Sequence, residues 1–283
     1  MKTWNDLKQS LPQLLAPEIE TGESISYFKI LAEHYHGQYN LDLTALELDL
    51  PAQLKIDFPD LVKRFKSHEP IQYVLGYTWF YNLKINVNPA VLIPRQETEE
   101  LVHWILQDYQ FKLGPTVWDI GTGSGCIALA LAAYMRSPKI WASDVSERAL
   151  ATASANAQKN EIYNISFLEH NILQEPPPTH SYDIIVSNPP YIKPSAKSIM
   201  SKNVLQYEPE LALFAPEEDP LVFYRAIARI AKSSLQPNGK LYFEINEFLK
   251  ENLEELLQAE GFTSIEFKQD LSGLWRMVRC GIN

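Results

Sequence analysis

Asn188-Pro189-Pro190-Tyr191 is the stretch of this chain with the clearest capacity for chemistry. An amide-like nitrogen is a poor nucleophile, because its lone pair is delocalised into the neighbouring π system. A site helps by accepting hydrogen bonds from both N–H groups. That orients the nitrogen and favours the rehybridised form whose lone pair faces an electrophile. The Asn188 side-chain oxygen and the Pro189 carbonyl are two such acceptors. Consecutive prolines fix the dihedrals of the loop, so the acceptors are preorganised. Tyr191 can pack on a flat group held there. If the nitrogen loses its proton late, no strong general base is needed and positioning supplies most of the help. A glutamine amide and the exocyclic amine of adenine are both planar, and the stretch suits either.

A second constellation is Asp119-Ile120-Gly121-Thr122-Gly123-Ser124-Gly125. It follows an apolar strand and opens a helix. Glycine lets a backbone turn sharply and approach a ligand closely. The spacing is G-x-G-x-G, unlike the dinucleotide fingerprint, and no phosphate-gripping lysine follows, which excludes a P-loop. With its acidic residue two before the first glycine, the pattern resembles the first motif of Rossmann-like methyltransferases. Asp144 ends the next strand, where a carboxylate can accept from both ribose hydroxyls of an adenosine. Asn171, after the third strand, is placed to meet an adenine amino group, and Ile172 to pack on the ring. The expected cofactor set is therefore Gly121, Thr122, Gly123, Ser124, Gly125, Asp144, Asn171, Ile172 and Asn188. The expected catalytic and substrate-binding set is Asn188, Pro189, Pro190 and Tyr191.

The elements that must position these residues alternate. Strands are predicted over Thr116–Ile120, Lys139–Ser143, Ile165–Leu168, Tyr182–Val186 and Lys240–Ile245. Helices are predicted over Cys126–Met135, Glu147–Gln158 (capped by Ser146), Leu221–Ser233 and Phe248–Ala259, the last stopped by Gly261. Such alternation implies an α/β fold with a mostly parallel sheet and helices on both faces. Thr263–Lys268 and Trp275–Cys280 have no helix between them and predict an antiparallel C-terminal strand. Before residue 76 the chain reads as short helices. Thr3 caps the first, Ile25–His36 forms another, and Pro51–Leu54 and Pro59–Phe65 read as two more. Alternation over Leu83–Val87 after the polar Asn82 predicts a hairpin. Residues 1–75 are thus expected to form a small helical domain for substrate recognition, 76–95 a hairpin linker, and 96–283 the catalytic domain.

Composition narrows the class. Hydrophobic residues make up 46% and charged residues 21%, as in ordinary globular proteins. No apolar run approaches a membrane span, and Met1–Leu15 has no signal-peptide character, so a cytoplasmic protein without membrane contact is expected. Cys126 and Cys280 lie far apart and outside metal-ligand spacing, so no metal is expected. The net charge of −10 divides into −4 over residues 1–75 and −6 over 76–283. Neither part is basic, which argues against direct nucleic-acid binding.

On these motifs the chain is similar, over nearly its whole length, to the N5-glutamine methyltransferases of peptide chain release factors. Glu69-Pro70-Ile71-Gln72-Tyr73-Val74-Leu75-Gly76 resembles the family's hinge segment, and Val91-Leu92-Ile93-Pro94-Arg95-Gln96-Glu97-Thr98-Glu99 its IPRPETE signature. Tyr207-Glu208-Pro209, Phe223-Tyr224-Arg225, and Asp270, Gly273 and Arg276 resemble later family segments. Gln96 stands where the family usually has proline, Asn171 where aspartate is common, and Pro220 where glycine is frequent. The resemblance implies S-adenosylmethionine as methyl donor and release factors as protein substrate, with the glutamine of a Gly-Gly-Gln loop as target. It implies a helical N-terminal domain that grips the partner, and the chain is expected to act as a monomer. The sequence also admits a ribosomal-protein glutamine methyltransferase, an adenine-N6 methyltransferase and a catalytically idle cofactor-binding protein.

Overall fold

The computed structural model describes residues 1–282, which fall into two compact units. The first comprises Met1–Leu75 together with Ser201–Tyr207. Its helices are α1 (Trp4–Leu15), α2 (Thr21–His36), α3 (Leu43–Leu46), α4 (Ala52–Lys66) and α5 (Ile71–Leu75). Thr3 caps α1 as expected, accepting from Asp6 N–H at 3.2 Å while Asp6 reaches back to Thr3 N–H. Trp4, Leu7, Leu11 and Leu15 recur at helical spacing and are buried with Phe28, Leu31, Leu54 and Phe65. The two short helices expected around Pro51 and Pro59 are one continuous helix, α4. Leu54, Leu61 and Phe65 share its buried face, which holds the segment helical through the proline. Pro59 cannot donate to the carbonyl of Lys55, but Lys55 is exposed and water can take that place.

The second unit, Gly76–Met200 with Glu208–Asn283, begins with β1 (Tyr77–Phe80) and β2 (Leu83–Asn86). These pair antiparallel with Phe80 opposite Leu83, and the two turn residues between them, Tyr81 and Asn82, both have positive φ (48° and 61°). That is the two-residue turn whose twist matches a hairpin. Next come α6 (Gln96–Asp108), β3 (Thr116–Ile120), α7 (Cys126–Tyr134), β4 (Lys139–Asp144), α8 (Glu147–Lys159), β5 (Ile165–Glu169) and β6 (Tyr182–Ser187). A 3-10 turn over Pro194–Ile199 leads to α9 (Lys202–Tyr207), which belongs to the first unit. There the Tyr207 hydroxyl donates to Ser67 O at 2.9 Å. The second unit resumes with α10 (Glu210–Leu213), α11 (Val222–Ser234), β7 (Leu235–Glu244), α12 (Lys250–Ala259), β8 (Thr263–Gln269) and β9 (Trp275–Gly281).

One seven-stranded sheet runs in the order β5-β4-β3-β6-β7-β9-β8. The first five are parallel to one another, and β9 is antiparallel to both its neighbours. This is the mostly parallel Rossmann-like sheet with an antiparallel end that the sequence predicts. The strand order reverses between β3 and β6, and open α/β sheets bind ligands at that switch, beyond the carboxyl ends of the strands. β7 starts earlier than its apolar run, at Leu235. Its register on β6 shifts between Tyr182 and Ile184, where Asn238 takes a positive φ of 67°.

Candidate active site

The glycine loop leaves β3 with Gly121, Gly123 and Gly125 all at positive φ, a conformation costly for any residue with a Cβ. Two bonds tie its start to β4: Gly121 and Thr122 N–H donate to Ser143 O at 2.8 and 2.9 Å. Asp119 braces it from below. Its Oδ2 accepts from Thr122 Oγ1 at 2.6 Å and from Ala128 N–H at 3.2 Å, joining strand, loop and the first turn of α7. The carboxyl is buried, and burial raises it to about 7 despite those two bonds. Gly125 packs tightly under the loop: a Cβ there would lie 2.6 Å from Leu129 Cδ1 and 3.0 Å from Ala153 Cβ. A Cβ at Gly121 or Gly123 would meet nothing within 4 Å.

Asp144 closes β4 beside this loop. Its carboxylate accepts Gly123 N–H and Ser146 N–H, each at 2.9 Å, and burial raises its pKa against those bonds. Each oxygen keeps a second lone pair for a ligand hydroxyl. Beyond β5, Asn171 Oδ1 accepts Leu173 N–H at 3.0 Å, an Asx turn that fixes the side chain, while Ile172 packs on the sheet core. The buried Asn156 on α8 is a structural stitch that sequence reasoning missed. Its amide takes Asn86 N–H at 2.7 Å, and donates to Asn86 O at 3.0 Å and to Ser124 O at 2.9 Å. Hairpin, helix and glycine loop are thereby held as one piece.

Asn188 stands directly after β6, and Ser187 anchors that strand end by donating to Ile120 O at 2.7 Å. The Asn188 Nδ2 lies 3.4 Å from Thr98 Oγ1 on the first turn of α6. Thr98 donates in turn to Glu244 Oε2 at 2.5 Å, at the end of β7. Both Thr98 and Glu244 are buried. Burial pushes the Glu244 carboxyl up to about 7, while its bond with Thr98, the nearby Arg276 and the Asn188 side chain pull the other way. Neither residue carries a role in the sequence reading. The available signal was a lone acid in the apolar run Leu241-Tyr242-Phe243-Glu244-Ile245, since an unpaired charge rarely sits in a buried strand.

These parts surround one cavity of about 270 Å³. Gly121, Thr122, Gly123, Ser124, Asp144, Asn171, Ile172 and Asn188 line it, together with Pro189 and Pro190. Gly125 lies beneath the loop, and Tyr191 packs against the core that contains α11 and β7 instead of lining the cavity. Pro94 and Thr98 close one side, and Phe223 and Ile227 of α11 contribute apolar surface. The donor set fits a nucleoside-bearing ligand: a fixed carboxylate, two glycines open to empty space, and a polar residue with an apolar neighbour. Among the described residues no cluster of His, Cys, Asp or Glu could hold a metal ion, and no helix is long and apolar enough to cross a membrane.

Residues 98–209 match the family model of the methyltransferase small domain. A release factor glutamine methyltransferase of Flavobacterium psychrophilum is 43% identical over 94% of this chain and 95% of its own length. One of Bacteroides thetaiotaomicron is 37% identical over 96% of both chains. Among solved structures, the ribosomal protein L11 methylase of Lactobacillus delbrueckii subsp. bulgaricus matches 70% of this chain and 85% of its own. Its TM-score is 0.52 at 20% identity, a likeness of fold. With near-complete coverage by such relatives, the glycine loop, Asp144 and the Asn188 loop gathered on one cavity belong to a chain that is a member of the release factor glutamine methyltransferase family.

Proposed function

We propose that the protein transfers a methyl group from S-adenosylmethionine to the side-chain nitrogen of a glutamine in a peptide chain release factor, the glutamine of a Gly-Gly-Gln loop. The observation that carries this reading is Asn188 on the wall of the cavity that the glycine loop and Asp144 also line, in a chain 43% identical to a release factor glutamine methyltransferase. Bound S-adenosylmethionine supplies a methyl group activated on a sulfonium. The remaining work is done by the chain. Asp144 accepts the ribose hydroxyls, Gly121 and Gly123 admit the ligand to close backbone contact, and Asn171 and Ile172 hold the adenine. Asn188 Oδ1 and the Pro189 carbonyl accept the two N–H groups of the target amide, aiming its lone pair at the methyl group. Pro190 stiffens the loop, and Tyr191 seats it against the core.

In this reading the helical residues 1–75 contact the release factor, 76–95 link the parts, and the enzyme works as a cytoplasmic monomer without touching nucleic acid. The acidic balance of both stretches, −4 and −6, supports a protein partner over a polyanion. The test is incubation with labelled S-adenosylmethionine, a purified release factor, ribosomal protein and duplex DNA in parallel. Label on the release factor glutamine, located by mass spectrometry, is the expected result. Label confined to ribosomal protein or adenine overturns the reading.

A further inference from the structure

The contacts from Glu244 through Thr98 to Asn188 have a direction. A hydroxyl has one proton to give, and an ionised carboxylate has none. While Glu244 is ionised, the Thr98 proton points to Glu244 Oε2 across 2.5 Å. The Thr98 oxygen is then left as an acceptor, facing the Asn188 NH2 at 3.4 Å. The amide is held with nitrogen toward Thr98 and the Glu244 carboxylate, which the Asn188 side chain also favours in its ionised form, and oxygen away from them. A protonated Glu244 removes that constraint. It donates to Thr98, the Thr98 proton is freed, and either end of the Asn188 amide can be bound. We propose that Thr98 and Glu244 are positioning residues that set the polarity of the Asn188 amide, keeping its oxygen toward the target nitrogen. This rests on the reading of Asn188 as the acceptor for that nitrogen.

Two buried carboxyls near the cavity are raised to about 7, Glu244 and Asp119, and Asp119 bonds Thr122 and Ala128 and not Thr98. Glu97 and Thr98 face Glu244 from α6, Cys126 from α7, Asn188 and Tyr191 from the loop after β6, Tyr224 from α11 and Arg276 from β9. Arg276 is bound to Asp270 at 3.2 Å. Burial raises both tyrosine phenols above their ordinary range and the Cys126 thiol to about 12, so all three stay neutral near pH 7. Burial brings Glu244 itself to about 7, so its ionisation changes across neutrality.

Thr98→Val keeps the shape and removes the hydroxyl, Thr98→Ser keeps the hydroxyl, and Glu244→Gln removes the ionisation. Single-turnover methylation of a release factor and calorimetric cofactor affinity are measured for each. Thr98→Val should slow methylation about tenfold or more through lost alignment, with cofactor affinity held, and Thr98→Ser should recover rate relative to valine. Wild-type rate should rise with pH through neutrality, and Glu244→Gln should lose that limb. In labelled protein without cofactor, the Asn188 NH2 resonance, identified by its loss in Asn188→Ala, should titrate near pH 7 in wild type and stop titrating in Glu244→Gln. A wild-type rate in Thr98→Val, or an unchanged limb and titration in folded Glu244→Gln, overturns the proposal. If Glu244→Gln does not fold, the two Thr98 variants decide. If wild type methylates no release factor, the functional reading fails instead, and the substrate-free titration still decides this one.

Discussion

The Asp144 carboxylate holds the Gly123 amide at 2.9 Å, so the glycine loop and the acid that ends β4 are one hydrogen-bonded unit. Removing the acid therefore does two things. It deletes the acceptors proposed for a ribose, and it frees the N–H that keeps the middle of the loop in place.

Asp144→Ala should accordingly weaken cofactor binding by about 2 kcal/mol, the scale of hydrogen bonds to a charged group. Asp144→Asn should lose less, because its amide oxygen can still accept from Gly123 or from one hydroxyl. Titration calorimetry with S-adenosylmethionine checks both. Equal affinities in wild type and Asp144→Ala would remove Asp144 from the cofactor site.

At Asn188 binding and turnover should separate. Asn188→Ala should cut turnover by about a hundredfold or more, as for other preorganised polar groups, with a much smaller loss of cofactor affinity. Asn188→Asp keeps an acceptor but cannot donate to Thr98, and it adds a carboxylate near the charge of Glu244. Its negative charge favours the sulfonium ground state over a transition state in which that charge fades. We expect impaired turnover with cofactor bound at least as well as in wild type. Single-turnover rates near wild type in both variants would reduce Asn188 to a turn residue.

Gly125 and Gly123 should fail for different reasons when replaced by alanine. Both take positive φ, but only at Gly125 would the new Cβ meet a neighbour, Leu129 Cδ1 at 2.6 Å. Gly125→Ala should cost about 2 kcal/mol or more of folding stability, combining backbone strain and overpacking. Gly123→Ala should cost only about 1 kcal/mol and act mainly on cofactor affinity. Thermal unfolding beside calorimetry separates them. A larger stability loss at Gly123 than at Gly125 contradicts the geometry.

Asp119 makes a prediction about pH. Its carboxyl titrates at an ordinary 3.8 when exposed but at about 7 in the fold, because burial opposes its charge. Between these values the folded chain keeps a proton that the unfolded chain has shed, so the stability contributed by Asp119 falls as pH rises. It is fully present below the lower value and lost above the higher. The stability advantage of wild type over Asp119→Asn should therefore shrink from about pH 4 to pH 7. Chemical denaturation at several pH values reads this difference, and a gap that stays constant over this range would show that Asp119 is ionised in the fold throughout.

Much of the second unit was legible because strand and helix periods alternate cleanly and the candidate site residues that line the cavity follow strands. Gly121, Asp144, Asn171 and Asn188 could be assigned to strand ends from local pattern alone. Thr98 and Glu244 could not be paired that way, since 146 residues separate them and only tertiary packing brings the hydroxyl to the acid. Asn156 was hidden for the same reason. It sits on an ordinary amphipathic helix, and its partners Asn86 and Ser124 lie in other elements. In the first unit, Pro59 is a local signal for a helix boundary, yet α4 runs through it. Burial of Leu54, Leu61 and Phe65 on one face outweighed that local signal.

The return of Ser201–Tyr207 to the first unit bears on how the chain is made. A ribosome delivers residues in order, and domains generally fold as they emerge. Here α1 to α5 are released early, but their complement is complete only when Tyr207 can reach Ser67. By then β3, β4, β5 and β6 have all left the exit tunnel. The amino-terminal unit thus matures after synthesis of its neighbour has begun, and a nascent chain stalled before residue 201 should carry it in an unfinished, more protease-sensitive form.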